Sequence, residues 1–142
     1  MHEQDLRRRL LDAFGHRRQG ARLEARLDEF LSSLALSDDV VSENDEWHVA
    51  GVAVVPRCRA GTDIPVGRIP AAEWDAALLA VLELNQSLSR EDLVSGTVRA
   101  FGFDRVTSVA QERADQAMTR LLSEGRVIVT SVGFAPARVR SV

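Results

Sequence analysis

The chain has no lysine and no tyrosine, and all 18 of its basic residues are arginine. An arginine-only cation set reflects coding bias as well as selection, so no single arginine here marks a phosphate contact by its identity alone. With 5% aromatics there is little material for stacking unpaired bases, which disfavours a single-strand platform. One cysteine, Cys58, rules out a disulfide framework within the chain. No apolar run approaches a membrane span and no signal-peptide pattern opens the sequence, so a cytoplasmic location is expected. A net charge of −3 argues against a free-standing nucleic-acid binder. What is present is 142 residues, 45% apolar and 27% charged, enough for one ordinary domain or two very small ones.

The charge is unevenly spread. Residues 1–26 hold seven arginines against four acids, whereas residues 38–46 hold five acids and no base. The sequence also repeats itself. "QDLRRRLLDAFGHRR" at 4–18 and "EDLVSGTVRAFGFDR" at 91–105 align without a gap at an offset of 87. Asp5 meets Asp92, Ala13-Phe14-Gly15 meets Ala100-Phe101-Gly102, Arg18 meets Arg105, Arg26 meets Arg113 and Asp28 meets Asp115. The register persists through Leu34/Leu121 and Val40/Val127, which points to one supersecondary unit used twice.

The second copy is the better punctuated. Pro70 opens a helix with Trp74, Leu78, Val81 and Leu82 on one face, a position where the missing N–H of proline is harmless. Ser89 and Asp92 form a shortened capping box for a second helix whose apolar positions are 93, 94, 97, 98 and 101. Gly102 stops it. Ser108 with Gln111 caps a third helix that buries Ala110, Ala114, Ala117, Met118, Leu121 and Leu122. "RVIVTSVGF" then supplies two short strands about a turn near Ser131. The order predicts a winged helix.

The first copy holds the equivalent second helix (3–15), third helix (21–36) and hairpin, with Val40-Val41 and Trp47-His48-Val49 as strands. The slot for its first helix falls before residue 1, so truncation or another occupant is expected. The whole is therefore an α+β, mainly helical, tandem winged helix-turn-helix chain: a first unit at 1–51, a linker with a strand-like segment at 52–69, a second unit at 70–135 and a tail at 136–142.

The motifs "H-x-x-D-L-x-x-R … A-F-G-x-x-R-x-G-x-R-L" at 2–23, "I-P-x-x-E" at 69–73 and "S-R-E-D-L-V … G-F-x-R" at 89–105 resemble a family. It is a functionally unassigned domain at the C-terminal end of large bacterial superfamily 1 helicase-like proteins that also carry a nuclease-like module. In that family a histidine like His2 follows a helix and a Gly-Pro-Val-type turn, which this sequence does not contain. The resemblance implies an accessory domain of a DNA-processing ATPase and supplies no mechanism.

A winged helix that grips duplex DNA presents the start of its third helix to the major groove. Copy one offers Arg17, Arg18, Arg22 and Arg26 there, with His16 nearby, and these are the DNA-binding candidates. Copy two shows Ser108, Gln111, Glu112, Asp115 and Gln116 instead, with Asp104 in the turn, and its carboxylates repel phosphate. The residues kept in both copies, Asp5, Arg18, Arg26, Asp92, Arg105 and Arg113, are candidates for structural ion pairs or helix-capping bonds. His2, His16 and His48 lack metal-ligand spacing, the acidic run at 38–46 reads as a solvated hairpin tip, and no phosphate loop is present. No catalytic constellation, metal or cofactor is expected. Two partner classes remain: duplex DNA through the first unit, or a protein surface, whether parent helicase domains or a second copy in a homo-dimer. Phe14 and Phe101 are each expected to plug the core of their copy, and the apolar groove left open in copy one is expected to be filled by the 52–58 segment, by copy two or, foremost, by another copy of the same chain.

Overall fold

The computed structural model describes residues 1–15 and 20–138 and divides into two units, 1–53 and 54–142. It is an α+β chain with two small antiparallel sheets.

In the first unit, α1 (Glu3–Ala13) starts where the His2 imidazole accepts from the Gln4 N–H, with Glu3 and Asp5 placed against the positive end of the helix dipole. The helix ends two residues earlier than its apolar spacing suggests. Helix α2 (Ala21–Ala35) turns Leu27 and Leu31 inward. Strands β1 (Val40–Glu43) and β2 (Glu46–Val49) pair with Val40 opposite Val49 and Glu43 opposite Glu46. Asn44 and Asp45 both have positive φ, the two-residue connection whose twist matches the strands. Trp47 on β2 is buried and donates its indole N–H to Glu3 at 3.3 Å. Arg7 bonds that same Glu3 and reaches across to Asp28 on α2. The core of this unit is therefore small: Leu11, Leu27, Leu31 and Trp47.

The second unit is better filled. Helix α3 (Ala71–Asn85) packs on α4 (Arg90–Ala100) and α5 (Ser108–Ser123), and β3 (Val127–Val129) pairs with β4 (Phe134–Pro136). Trp74, Leu78, Leu82, Leu93, Phe101 and Leu121 are fully buried. Each such side chain contributes roughly 1.5–3 kcal/mol through removal from water. The packing sets large against small. Ala110, Ala114 and Ala117 on α5 have no exposed surface, and Trp74 meets Phe101 edge to face with ring centroids 4.9 Å apart. Ser89 caps α4 as expected. Thr107, not Ser108, caps α5, its hydroxyl accepting from the Ala110 N–H at 3.2 Å. Leu122 lies on the exposed side of α5, not in the core.

Residues 52–58 form no strand, and the stretch from residue 54 belongs to the second unit. It is pinned there by the Arg59 N–H on the Phe101 carbonyl at 2.7 Å, and by Glu73, which takes both Arg57 and Arg59. Gly102 makes this approach feasible: its φ is +89°, and a Cβ there would lie 2.6 Å from the Ala60 nitrogen.

The starts of the elements keep the sequence offset. Glu3 and Arg90, Ala21 and Ser108, and Val40 and Val127 each open corresponding elements 87 residues apart.

Candidate docking groove in the first unit

Between α1 and α2 lies an open groove of about 340 Å³ lined by Leu11, Phe14, Leu23, Arg26, Leu27 and Phe30. Leu11 and Leu27 are buried at its floor, while Phe14 is 70% and Phe30 50% exposed on its walls. Phe14 does not plug a core, contrary to the sequence expectation. The reason is tertiary. Phe101, 87 residues on, has no exposed surface because Trp74 of α3 stacks on it, whereas nothing among the described residues of the first unit lies over Phe14 in that way. Of the other lining positions, Leu23 and Phe30 differ in exposure from their counterparts in the same sense, while Leu11 and Leu27 are buried as theirs are. Val98, Ala110, Ala114 and Ala117 are buried in the second unit; Leu11, Leu23, Leu27 and Phe30 stand at their counterparts.

Arg26 is the charged member of the groove. It is exposed and has no ion pair among the described residues. Its counterpart Arg113 donates to the backbone carbonyl of Gly67 at 2.8 Å, in the short 3₁₀ turn Val66–Arg68 that leads into α3. The repeated arginine thus serves, in the second unit, to hold the segment that covers the groove.

The remaining sequence candidates scatter. Arg17 and Arg18 lie outside the described residues. Arg22 is exposed in the first turn of α2, beside the N-cap Gly20, which offers no side-chain cap. Asp5 is buried with Arg8 at 3.6 Å, a pairing within one turn of α1. Asp92 and Arg105 are exposed and form no ion pair among the described residues. For Asp92 this corrects the expected pair: the acid sits in the first turn of α4, where the helix dipole already serves it. The repeated acid that does link helices is another one. Asp28 takes Arg7 from α1, and Asp115 takes Arg90 from α4.

Arginine is otherwise heavily committed. Arg7, Arg8, Arg57, Arg59, Arg90, Arg120 and Arg126 each face a carboxylate at 3.6 Å or less. Glu73 is the most enclosed partner. Burial pushes its carboxyl up, but the hydrogen bonds from Arg59 and Arg57 outweigh that and hold it below the usual carboxylate range. Asp75 goes the other way: burial raises it, and Arg120 offsets this only in part. Sequence reasoning missed the Glu73 site, although Glu73 closes the "I-P-x-x-E" motif.

The outer face of α5 exposes Ser108, Gln111, Glu112, Gln116 and the Arg90-paired Asp115, an acidic and amide surface unsuited to phosphate. Among the described residues no group of three His, Cys, Asp or Glu is placed to hold a metal ion. Cys58 is exposed, and no described helix is long and apolar enough to cross a membrane. No family model, curated protein or solved structure matches the chain.

Proposed function

We propose that this chain is a non-catalytic docking module, built from two winged-helix-like copies of one unit, that joins a DNA-processing protein of the helicase type to another polypeptide. The observation that carries the docking function is the groove of the first unit, where two phenylalanines stand 70% and 50% exposed over buried leucines. Contiguous apolar exposure of this kind on a small unit is a cost unless something covers it. The offset of 87 in both sequence and element starts supports the repeated unit. The helicase setting rests on the motif resemblance alone.

The test is a photocrosslinker at position 14 in the full chain, expressed in the cells of its source. A protein crosslink that disappears when Phe30 is also changed to Asp supports docking. Crosslinks to nucleic acid only, or none, overturn it.

Duplex DNA is the second reading, favoured by one feature: Arg22 is exposed beside the uncapped N-terminus of α2. Titration against duplex across salt concentrations distinguishes the two. Contact through this helix end gives a log–log slope of about −0.9 per phosphate neutralised, and R17A/R22A weakens it.

A further inference from the structure

The stretch of chain that joins the two units is anchored at both ends and unbonded in the middle. At one end the Ala50 N–H donates to the Asp39 carbonyl at 2.9 Å; at the other the Arg57 N–H donates to the Glu73 carboxylate at 3.3 Å. Residues 51–56 belong to no helix or strand, and their backbone makes no hydrogen bond among the described residues. Val52 is 62% and Val55 68% exposed, with Ala53 exposed between them. Pro56 favours an extended Val55, because the proline ring clashes with a helical residue before it. The run Val52-Ala53-Val54-Val55 carries no charge and only small aliphatic side chains.

Exposure alone does not set this stretch apart. Leu36, Leu84 and Val132 are more exposed than either valine. Leu84 lies within α3, Leu36 caps α2 with its N–H on the Leu34 carbonyl, and Val132 sits in a turn closed by two backbone bonds between Thr130 and Gly133. Residues 51–56 combine exposure with an unpaired backbone, and an endopeptidase needs both. Its nucleophile must reach the scissile carbonyl, and its cleft must take the neighbouring residues without first unpairing them. We propose that residues 52–55 are a proteolytic processing site for an endopeptidase with a small aliphatic S1 pocket, whose cut parts the two units. The bond at its centre is Ala53–Val54, which falls on the boundary of the units and has three unbonded residues on each side. Hydrolysis there consumes one water. The C–N bond breaks, the Ala53 carbonyl carbon gains the hydroxyl and the Val54 nitrogen gains the proton; the new acid then passes its own proton to the new amine at neutral pH. Val55–Pro56 is excluded, since the proline nitrogen carries no N–H and its ring crowds the leaving side. The core residues of each unit lie wholly on its own side of the cut.

Limited digestion of the full chain with elastase, read by intact mass, tests the site. The expected first products are 1–53 and 54–142. Aliphatic bonds elsewhere must open locally before they are cut, and each ~1.4 kcal/mol of opening slows cleavage about tenfold, so the first cut should lead the next by at least about tenfold. V52D/A53D/V54D empties the run of residues that fill a small apolar pocket and should slow that cut at least about tenfold, with circular dichroism confirming the fold. Mass mapping on the unmutated chain locates the cut even if that variant fails to fold. The same chain, tagged at both ends and expressed in the cells of its source, should yield two fragments that meet within 52–55 and are absent from the triple variant. A first elastase cut outside 52–55 overturns the proposal. So does a chain that stays intact in cells, which makes the segment cleavable in the tube only, and so do cellular fragments that the triple variant retains.

Discussion

The two phenylalanines at corresponding positions give the most direct test of how the units are built. Phe101 has no exposed surface; its ring meets Trp74 edge to face at 4.9 Å, and the Arg59 guanidinium lies 5.7 Å from its centroid. Truncation to Ala should cost about 3–5 kcal/mol for the transfer and cavity terms, with the ring pair adding roughly 0.5–1.5 kcal/mol. Phe14 is 70% exposed, so its truncation should cost under about 1 kcal/mol. The chain carries two tryptophans, one in each unit: Trp47 and Trp74 are both buried. Urea unfolding followed in W47F and W74F backgrounds therefore reads the units one at a time. With m of roughly 1–2 kcal/mol/M, a loss of about 4 kcal/mol moves the midpoint of the second unit down by about 2–4 M. The first-unit midpoint should hardly move with F14A. Equal shifts for the two substitutions, or a loss below about 1 kcal/mol for F101A, would refute the account in which α3 alone distinguishes the two environments.

Glycines at the paired stop positions should diverge in the same way. G102A should be severely destabilising, because the new Cβ would press on Ala60 as well as strain a φ of +89°, whereas G15A has open space and should cost about 1 kcal/mol by thermal melt. T107A should lower the stability of the second unit by about 0.5–2 kcal/mol through loss of its cap, and S108A should not. Glu73 has a carboxyl lowered in the folded state, so its contribution is complete above the unfolded value and declines as pH falls through the folded one. The stability gap between the unmutated chain and E73Q should accordingly narrow under acid, and a gap that is constant or widens as pH falls would contradict the arginine pairing. R59M, which leaves Arg57 as the remaining arginine on the buried Glu73 carboxylate, should cost roughly 1.5–3 kcal/mol in urea unfolding for the lost charged hydrogen bond.

The elements were legible in the sequence where their signals are local. Apolar spacing located α3, α4 and α5, Ser89 marked a cap, and the β-branched runs marked both hairpins. The failures share a cause: the deciding partner lies far along the chain. Ala-Phe-Gly reads identically at 13–15 and 100–102, yet Trp74 hides one ring and leaves the other without a counterpart. The β-branched run at 52–55 looks like a strand, but no edge among the described residues pairs with it. Glu73 draws Arg57 and Arg59 from 16 and 14 residues away, and Arg120 finds Asp75 across 45. For α5 the miss was a single position. Ser108 and Gln111 have the spacing of a capping box, but the hydroxyl of Thr107, one residue earlier, has the reach to the Ala110 N–H.

The candidate groove was legible for a different reason, because it follows from comparing the sequence with itself. An amphipathic helix pair folds only if its apolar face meets something, and the second unit meets that need with α3. The first unit also has two helices, a glycine after the first of them and an arginine on the second, and at the positions 87 residues before Ala110, Ala114 and Ala117 it has Leu23, Leu27 and Phe30. Phe14 has the same side chain as Phe101, and Phe30 stands 87 residues before Ala117. Leu11 and Leu27 are buried at the floor of the groove while Phe14 and Phe30 stand largely exposed on its walls, so the rings contribute less to the fold than the leucines do. The two rings stand exposed beside Arg26, and the arginine is where the two units differ most plainly. In the second unit the same arginine is already engaged with the Gly67 carbonyl, and in the first it stands exposed at the groove.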